Sequence, residues 1–321
     1  MFFALTEDQQ EFGAAVSTYL AERFDLAAVR QVVESDGDGN PESLWKAAGE
    51  QGWLAVTVPE EHDGLGLGLV EAQVIARALG AGVAPGPWRG TVLAAEAIRL
   101  AGSGEQKAAW LPRLATGEAI GALGLSRTVE YGAIADVVVT AEGLLTGADA
   151  TPVASYDGTT RLATVSGGSV EALPGDVSSL QARAAVLAAA DLVGTAREAL
   201  SRTVAYDKDR EQFGVPVGSF QAIKHALADL HVGVTMAEHA VLYAAHAVDT
   251  GLDDAPLAVS VAKAKAGDVA QQATAAMIQY HGGIGFTWEH EAHLFYKRAK
   301  RLAARYGSAD AHRETIAALT I

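Results

Sequence analysis

Two stretches of this chain gather groups that could hold a charged, aromatic-ended ligand. The first is Arg210-Glu-Gln-Phe-Gly-Val-Pro-Val-Gly-Ser-Phe-Gln221. A guanidinium is a planar fork that can make two parallel charge-assisted hydrogen bonds to a pyrophosphate. A phenyl ring can pack on a purine face. Arg210, Gln212 and Phe213 are therefore candidates for gripping the nucleotide end of a dinucleotide. The spacing of Arg202, Tyr206 and Arg210 aligns them on one helix face. The plainer alternative is a surface arginine followed by a core phenylalanine at a helix end. The second stretch, Gln279-Tyr-His-Gly-Gly-Ile-Gly-Phe-Thr287, joins an amide to three glycines. Gly282, Gly283 and Gly285 would let backbone approach a ligand or turn its amides toward phosphate oxygens. Its ordinary alternative is a glycine-rich helix C-cap. Neither a G-x-G-x-x-G fingerprint after a strand nor a P-loop occurs.

Other chemistries find less support. His290 and His293 flank Glu291, but their i, i+3 spacing is not that of the zinc motif, so no metal site is expected and a helix face near a dimer contact is the better reading. Asp36-Gly-Asp-Gly-Asn-Pro41 lacks the sixth-position glycine and twelfth-position glutamate of a calcium loop, and reads as a solvated turn. His225, His231 and His239 are isolated helical histidines. Ser126 and Ser308 have no nearby His/Asp arrangement. With no cysteine in the chain, disulfides and thiolate chemistry are excluded.

The elements that must position these residues follow from pattern. Residues 5–118 read mostly as helices, opened by Thr6 as N-cap with Gln9 three positions on. Residues 119–180 hold short β-favouring runs at Asp136–Thr140 and Arg161–Ser166. From Ser178 the chain is Ala-rich and helical over roughly 181–208, 217–249, 255–281 and 290–304, which predicts an antiparallel four-helix bundle. The expected architecture is thus mainly α with a small middle β domain, divided as 1–118, 119–180 and 181–321.

The 321 residues carry 24 Lys and Arg against 39 Asp and Glu, a net charge of −15. Such a balance disfavours nucleic acid and anionic membrane surfaces, and a phosphate ligand would need a local basic cluster. Arg202, Lys208 and Arg210 form one candidate, and Arg298, Lys300, Arg301 and Arg305 another. Half the residues are apolar, enough for a sizeable core. No apolar run reaches membrane-spanning length. The first residues show no export signal, so a cytoplasmic protein is expected.

With these motifs in hand, the chain resembles the acyl-CoA dehydrogenase family over nearly its whole length. Trp53-Leu-Ala-Val-Thr-Val-Pro-Glu-Glu-His-Asp-Gly-Leu-Gly66 is similar to the family's N-domain loop. Gly104-Glu-Gln-Lys-Ala-Ala-Trp-Leu-Pro-Arg-Leu-Ala-Thr-Gly-Glu118 is similar to its entry to the β domain. The Arg210 and Gln279 stretches match its two C-domain signatures. The resemblance implies a helical N-domain, a β domain, a C-terminal four-helix bundle, a dimer of dimers, and FAD. It assigns Arg210, Gln212, Phe213, Gln279 and Gly283 to the adenosine-pyrophosphate end of a flavin whose ring sits in the neighbouring subunit.

The family's reaction is α,β-dehydrogenation of an acyl-CoA thioester, with a glutamate removing the α-proton. Most members carry it in a Tyr-Glu-Gly-Thr segment, here Arg305-Tyr-Gly-Ser-Ala309, which puts Gly307 at the glutamate position. Others carry it on the first long C-domain helix, where alignment through Gly194 puts Ala184. Neither can accept a proton, so no catalytic residue is expected. The flavin-ring loop is altered too, reading Leu125-Ser-Arg-Thr-Val-Glu-Tyr-Gly-Ala-Ile-Ala-Asp136, with Ser126 or Thr128 as the stand-in hydroxyl. The resemblance is strongest to the shorter, glutamate-lacking subunits of α2β2 assemblies in bacterial steroid side-chain degradation. It implies a complete, related subunit as partner, through which the acyl-CoA is reached. Two alternatives are a self-sufficient enzyme with its base relocated to Glu198 or Glu130, and a flavin-free scaffold.

Overall fold

The computed structural model describes residues 4–321. Helices α1 (Glu7–Arg23), α2 (Leu26–Glu34), α3 (Glu42–Glu50), α4 (Leu69–Ala81), α5 (Trp88–Ala101) and α6 (Gly104–Thr116) precede the strands. The expected capping box is present on α1: Thr6 accepts from the Gln9 amide at 3.3 Å, and the Gln9 side chain accepts from the Thr6 amide at 2.9 Å. Ser103 and Gln106 repeat that device on α6.

The middle segment forms two small sheets. One has the order β1 (Gly121–Leu123), β3 (Val137–Val139), β4 (Leu144–Thr146), β7 (Ser169–Glu171), with β1 parallel to β3 and the remaining pairs antiparallel. The other is antiparallel, in the order β2 (Val129–Glu130), β6 (Leu162–Ser166), β5 (Asp149–Val153). Both β-favouring runs are strands, each a residue or two shorter than expected. Ala122, Val129, Val138 and Leu145 close the core between them.

The C-terminal segment contains α7 (Leu180–Asp209), α8 (Gln221–Thr250), α9 (Ala255–Tyr280), α10 (Ala292–Ala304) and α11 (Ala309–Thr320). Arg197 of α7 reaches Glu238 of α8, Gly233 of α8 faces Val269 of α9, and Lys263 of α9 bonds the carbonyl of Ala303 at the end of α10. Successive helices therefore run antiparallel, as the pattern required. Helix α11 was not expected. Tyr306 and Gly307 both take positive φ, +58° and +100°, which stops α10. Ser308 then caps a new helix by accepting from the Ala311 amide at 3.3 Å.

The chain divides into two compact units. One comprises the chain up to Leu26, Gln73–Ala84 and Ala185–Ile321, and the other Ala27–Ala72 and Pro85–Ala184. The first holds the bundle together with α1 and most of α4. There α4 and α7 cross with backbones in close approach. A Cβ at Gly80 would lie 2.1 Å from the Asp191 carbonyl oxygen, and one at Gly194 would lie 1.9 Å from that of Arg77. Arg298 of α10 locks the same crossing through a buried bidentate pair with Asp191, at 2.8 and 2.7 Å.

Candidate nucleotide-binding site

The Arg210–Gln221 stretch leaves α7 as a tight hairpin, not a plain linker. Glu211 pairs with Pro216 and Gln212 with Val215, forming β8 (Glu211–Gln212) and β9 (Val215–Pro216). The two loop residues, Phe213 and Gly214, have φ of +56° and +76°. Positive φ at both central positions is the turn whose twist matches a hairpin. It suits Gly214 and strains Phe213, a cost of roughly 1–3 kcal/mol that persists where surroundings or function impose it. The Phe213 ring is 93% exposed, with the edge of Phe220 at 6.3 Å between centroids. The alternative of a core phenylalanine is therefore ruled out. The Val217 amide donates to the Arg210 carbonyl at 2.7 Å and closes the hairpin base.

Arg210 is exposed, and among the described residues its guanidinium has no hydrogen bond or ion pair. Gln212 donates to the Glu211 carbonyl at 2.8 Å. Lys208 of the first basic cluster is likewise exposed, but Arg202 behaves differently. Arg202 is neutralised within the bundle by Glu198 at 2.7 Å and Glu291 at 3.0 Å. In the second cluster, Arg298 is buried against Asp191 and Lys300 bonds Gln271. Arg210 is thus a cation left available at the hairpin base, while its helical neighbour Arg202 is not.

The second stretch lies at the corresponding end of α9. Tyr206 near the end of α7 stacks on His281 just past α9, with centroids 4.3 Å apart, and His281 in turn meets His290 at 4.5 Å. Burial is the chief cause that lowers the pKa of His281. Gly282–Phe286 makes a 3-10 turn, with Gly282 at φ +64°. This turn leaves Gln279 and Gly283 exposed, with Phe286 89% and Trp288 71% exposed beside them. Gly285 needs its glycine for packing, since a Cβ would be 2.6 Å from the Ile278 carbonyl oxygen. Gly283 does not: among the described residues, nothing lies within 4 Å of a Cβ there. A position that is open and free of backbone strain has its demand for glycine, if any, outside the chain.

Gly307 and Ala184, the positions that the resemblance gives to a glutamate, are closed in another way. Ala184 is fully buried in α7. At Gly307 a Cβ would lie 2.6 Å from Nε2 of His312, on backbone of φ +100° that side chains rarely adopt. That imidazole is fixed by the Tyr306 carbonyl at 3.0 Å and the Ser260 hydroxyl at 3.3 Å. Burial, more than the nearby charge of Lys263, lowers its pKa. Lys263 is itself completely buried. It donates to the carbonyls of Ala303 and Gly307, both at 2.9 Å, and burial brings its pKa down to about 8.

Both alternative carboxylates are engaged. Glu198 accepts from Arg202 at 2.7 Å, and Glu130 is buried with Arg89 at 2.9 Å. In the altered loop, the Ser126 hydroxyl donates to the Thr128 carbonyl at 2.8 Å. No group of three or more metal-ligating side chains occurs among the described residues. His290 accepts from the Ala292 amide, and His293 meets Trp288 edge-on. No described helix is long and apolar enough to cross a membrane. Sequence reasoning missed one feature of this region, the buried carboxyl of Asp207.

Residues 6–118 match the model of the acyl-CoA dehydrogenase N-terminal domain, and residues 179–320 that of the acyl-CoA dehydrogenase C-terminal domain. The chain belongs to the acyl-CoA dehydrogenase family. It is 41% identical over 299 residues to acyl-CoA dehydrogenase IpdE2 of Mycobacterium tuberculosis, covering 91% of each chain. It is 38% identical over 309 residues to IpdE2 of Mycolicibacterium smegmatis, covering 94% of this chain and 96% of that protein. Among solved structures it is similar to the Tcur3481-Tcur3483 steroid acyl-CoA dehydrogenase, in a G363A variant. There the TM-score is 0.87 at 26% identity, over 98% of this chain and 97% of that one. A chain of the ChsE4-ChsE5 complex from Mycobacterium tuberculosis gives a TM-score of 0.87 at 25% identity, over 99% and 98%.

Proposed function

We propose that this chain is the non-catalytic subunit of a heteromeric acyl-CoA dehydrogenase, and that it lends a nucleotide clamp to an FAD whose ring belongs to a related partner subunit. The observation that carries this reading is Gly307. Its backbone and the fixed His312 ring exclude a carboxylate-bearing side chain where the family keeps its base. At Ala184, the other family position, only a methyl group is present. The clamp residues fit the ADP end of a flavin by contrast: an available guanidinium at Arg210, an outward ring at Phe213, an exposed amide at Gln279 and open backbone at Gly283. FAD, when bound, accepts the hydride that leaves the substrate's β-carbon. This chain's own residues bind and orient the diphosphate and adenine. The heteromeric complexes among its structural neighbours, one described as a steroid enzyme, favour a steroid-derived acyl-CoA and a dimer of dimers.

Co-expression with a candidate partner subunit tests this. The complex should be yellow and active with acyl-CoA, while the chain alone should bind FAD weakly and dehydrogenate nothing. A fully active homomer would overturn the reading. Glu198→Gln and Glu130→Gln then decide on a relocated base, because losing a true base costs orders of magnitude in rate. We expect neither variant to do so, since each carboxylate is already committed to an arginine. Arg210→Ala should weaken FAD retention by about 1.5–3 kcal/mol, the range for a hydrogen bond to a charged group. Unchanged retention, with no flavin absorbance in the purified complex, would favour a flavin-free scaffold.

A further inference from the structure

Asp207 lies in the last turn of α7, three residues before Arg210, and is only 1% exposed. Among the described residues, neither of its carboxylate oxygens has a hydrogen-bond partner. The turn that follows the hairpin packs onto it. A Cβ at Gly218 would lie 3.0 Å from the Asp207 carbonyl oxygen and 3.4 Å from its Cβ. The acid is therefore sealed at the base of the Arg210 hairpin. Its place at the C-terminal end of a long helix adds an unfavourable dipole for a negative charge. A buried carboxylate with no donor is costly, and protonation is its cheapest remedy. Burial accordingly pushes its pKa up to about 6.

Its ionisable neighbours along the chain are Tyr206, Lys208, Asp209, Arg210 and Glu211; Lys224 and His225 lie in the first turns of α8, and His281, stacked on Tyr206, lies just past α9. The turn at Val217–Ser219 carries none. None of these groups bonds the carboxylate, and burial is the cause of the shift.

We propose that Asp207 is a proton-linked positioning residue for anion binding at Arg210. As a neutral acid it leaves the field of Arg210 to a diphosphate. As a carboxylate, poorly hydrated and one helical turn away, it opposes the same anion and loosens the seat of the hairpin. This inference rests on the reading of Arg210 as part of a nucleotide clamp. The sign follows from linkage. A bound diphosphate further disfavours the charged form of Asp207, so binding takes up a proton. Affinity is then highest when Asp207 is already protonated and declines as pH rises through its pKa.

FAD is the probe, because its diphosphate diester does not titrate near neutral pH. The full chain is titrated with FAD, following flavin fluorescence, as wild type, Asp207→Asn and Arg210→Ala. The wild type should bind roughly five- to tenfold more weakly at about pH 8 than at about pH 5.5, the effect of one pKa unit of coupling. Asp207→Asn should flatten that dependence to within about twofold, while Arg210→Ala should bind poorly at both values. Should the Asn variant not fold, Asp207→Ala removes the same charge. Equal pH slopes in wild type and variant would overturn the inference. So would FAD binding that is pH-independent in the wild type yet lost in Arg210→Ala, which would leave the clamp reading intact. No binding by the wild type at either pH would overturn both.

Discussion

Asp207 is buried where the Gly218 turn packs against the end of α7. An aspartate near a helix end is ordinary by pattern, and only the packing of Gly218 over it and the absence of a donor give it meaning. The same burial makes a stability prediction that needs no ligand. In the unfolded chain the carboxyl ionises near its ordinary 3.8, and in the folded chain near about 6. Between those values the folded state holds the proton that the unfolded state has released, so stability falls as pH rises through this window. Below it both states are protonated and there is no penalty; above it the penalty is full. Asp207→Asn should therefore be more stable than wild type at about pH 7.5 by up to about 3 kcal/mol, with the difference vanishing near pH 4. Urea denaturation at the two pH values measures it. A pH-independent difference would mean that the carboxylate has a donor in solution. Gly307 makes a complementary point at the same scale. The sequence told only that a glutamate was missing. The structure adds that a left-handed backbone and the His312 ring leave no room for a side chain at Gly307.

At the level of elements, the long bundle helices were legible because apolar periodicity and alanine content persist over many turns. The hairpin was not. Arg210–Gln221 reads as a linker by its glycines and proline, and β8 and β9 are too short to leave an alternating pattern. Helix α11 was hidden for a related reason, since Ser308 caps it immediately after a break made by two positive-φ residues. In the candidate site, the identities of Arg210 and Gln279 were visible as motifs. That Arg202 is spent on Glu198 and Glu291 was not, because those partners come from tertiary packing. The α4–α7 crossing offers a test at this scale. Gly194 and Gly80 lie where each helix meets the other's carbonyl oxygens at distances no Cβ tolerates. Gly194→Ala should destabilise the fold by about 1–3 kcal/mol through overpacking, against the gain alanine gives in an exposed helix. A thermal melt decides it. A stabilised variant would mean the crossing is looser than drawn.

For the whole molecule, the question is why an acidic chain with a well-filled core leaves large rings bare. Phe213, Phe286 and Trp288 are largely exposed on segments that follow α7 and α9. Scattered exposed apolar residues need no explanation. Phe213 differs because its backbone is strained while its ring, 93% exposed, meets only the edge of Phe220 among the aromatic rings, and strain so little offset within the chain points to a contact outside it. If that contact is a flavin shared with a partner subunit, then Phe213→Asp separates folding from assembly. The isolated variant should keep its melting behaviour within about 0.5 kcal/mol, since an exposed side chain contributes little to the fold. The co-expressed complex should lose most of its flavin and, with it, much of the partner, because a carboxylate would now stand beside the adenine and diphosphate. Absorbance of the purified complex and its mass in solution report the two losses. Should the variant retain flavin and partner at wild-type levels, the outward ring has no role at the interface and the clamp must be built from Arg210 and Gln279 without it.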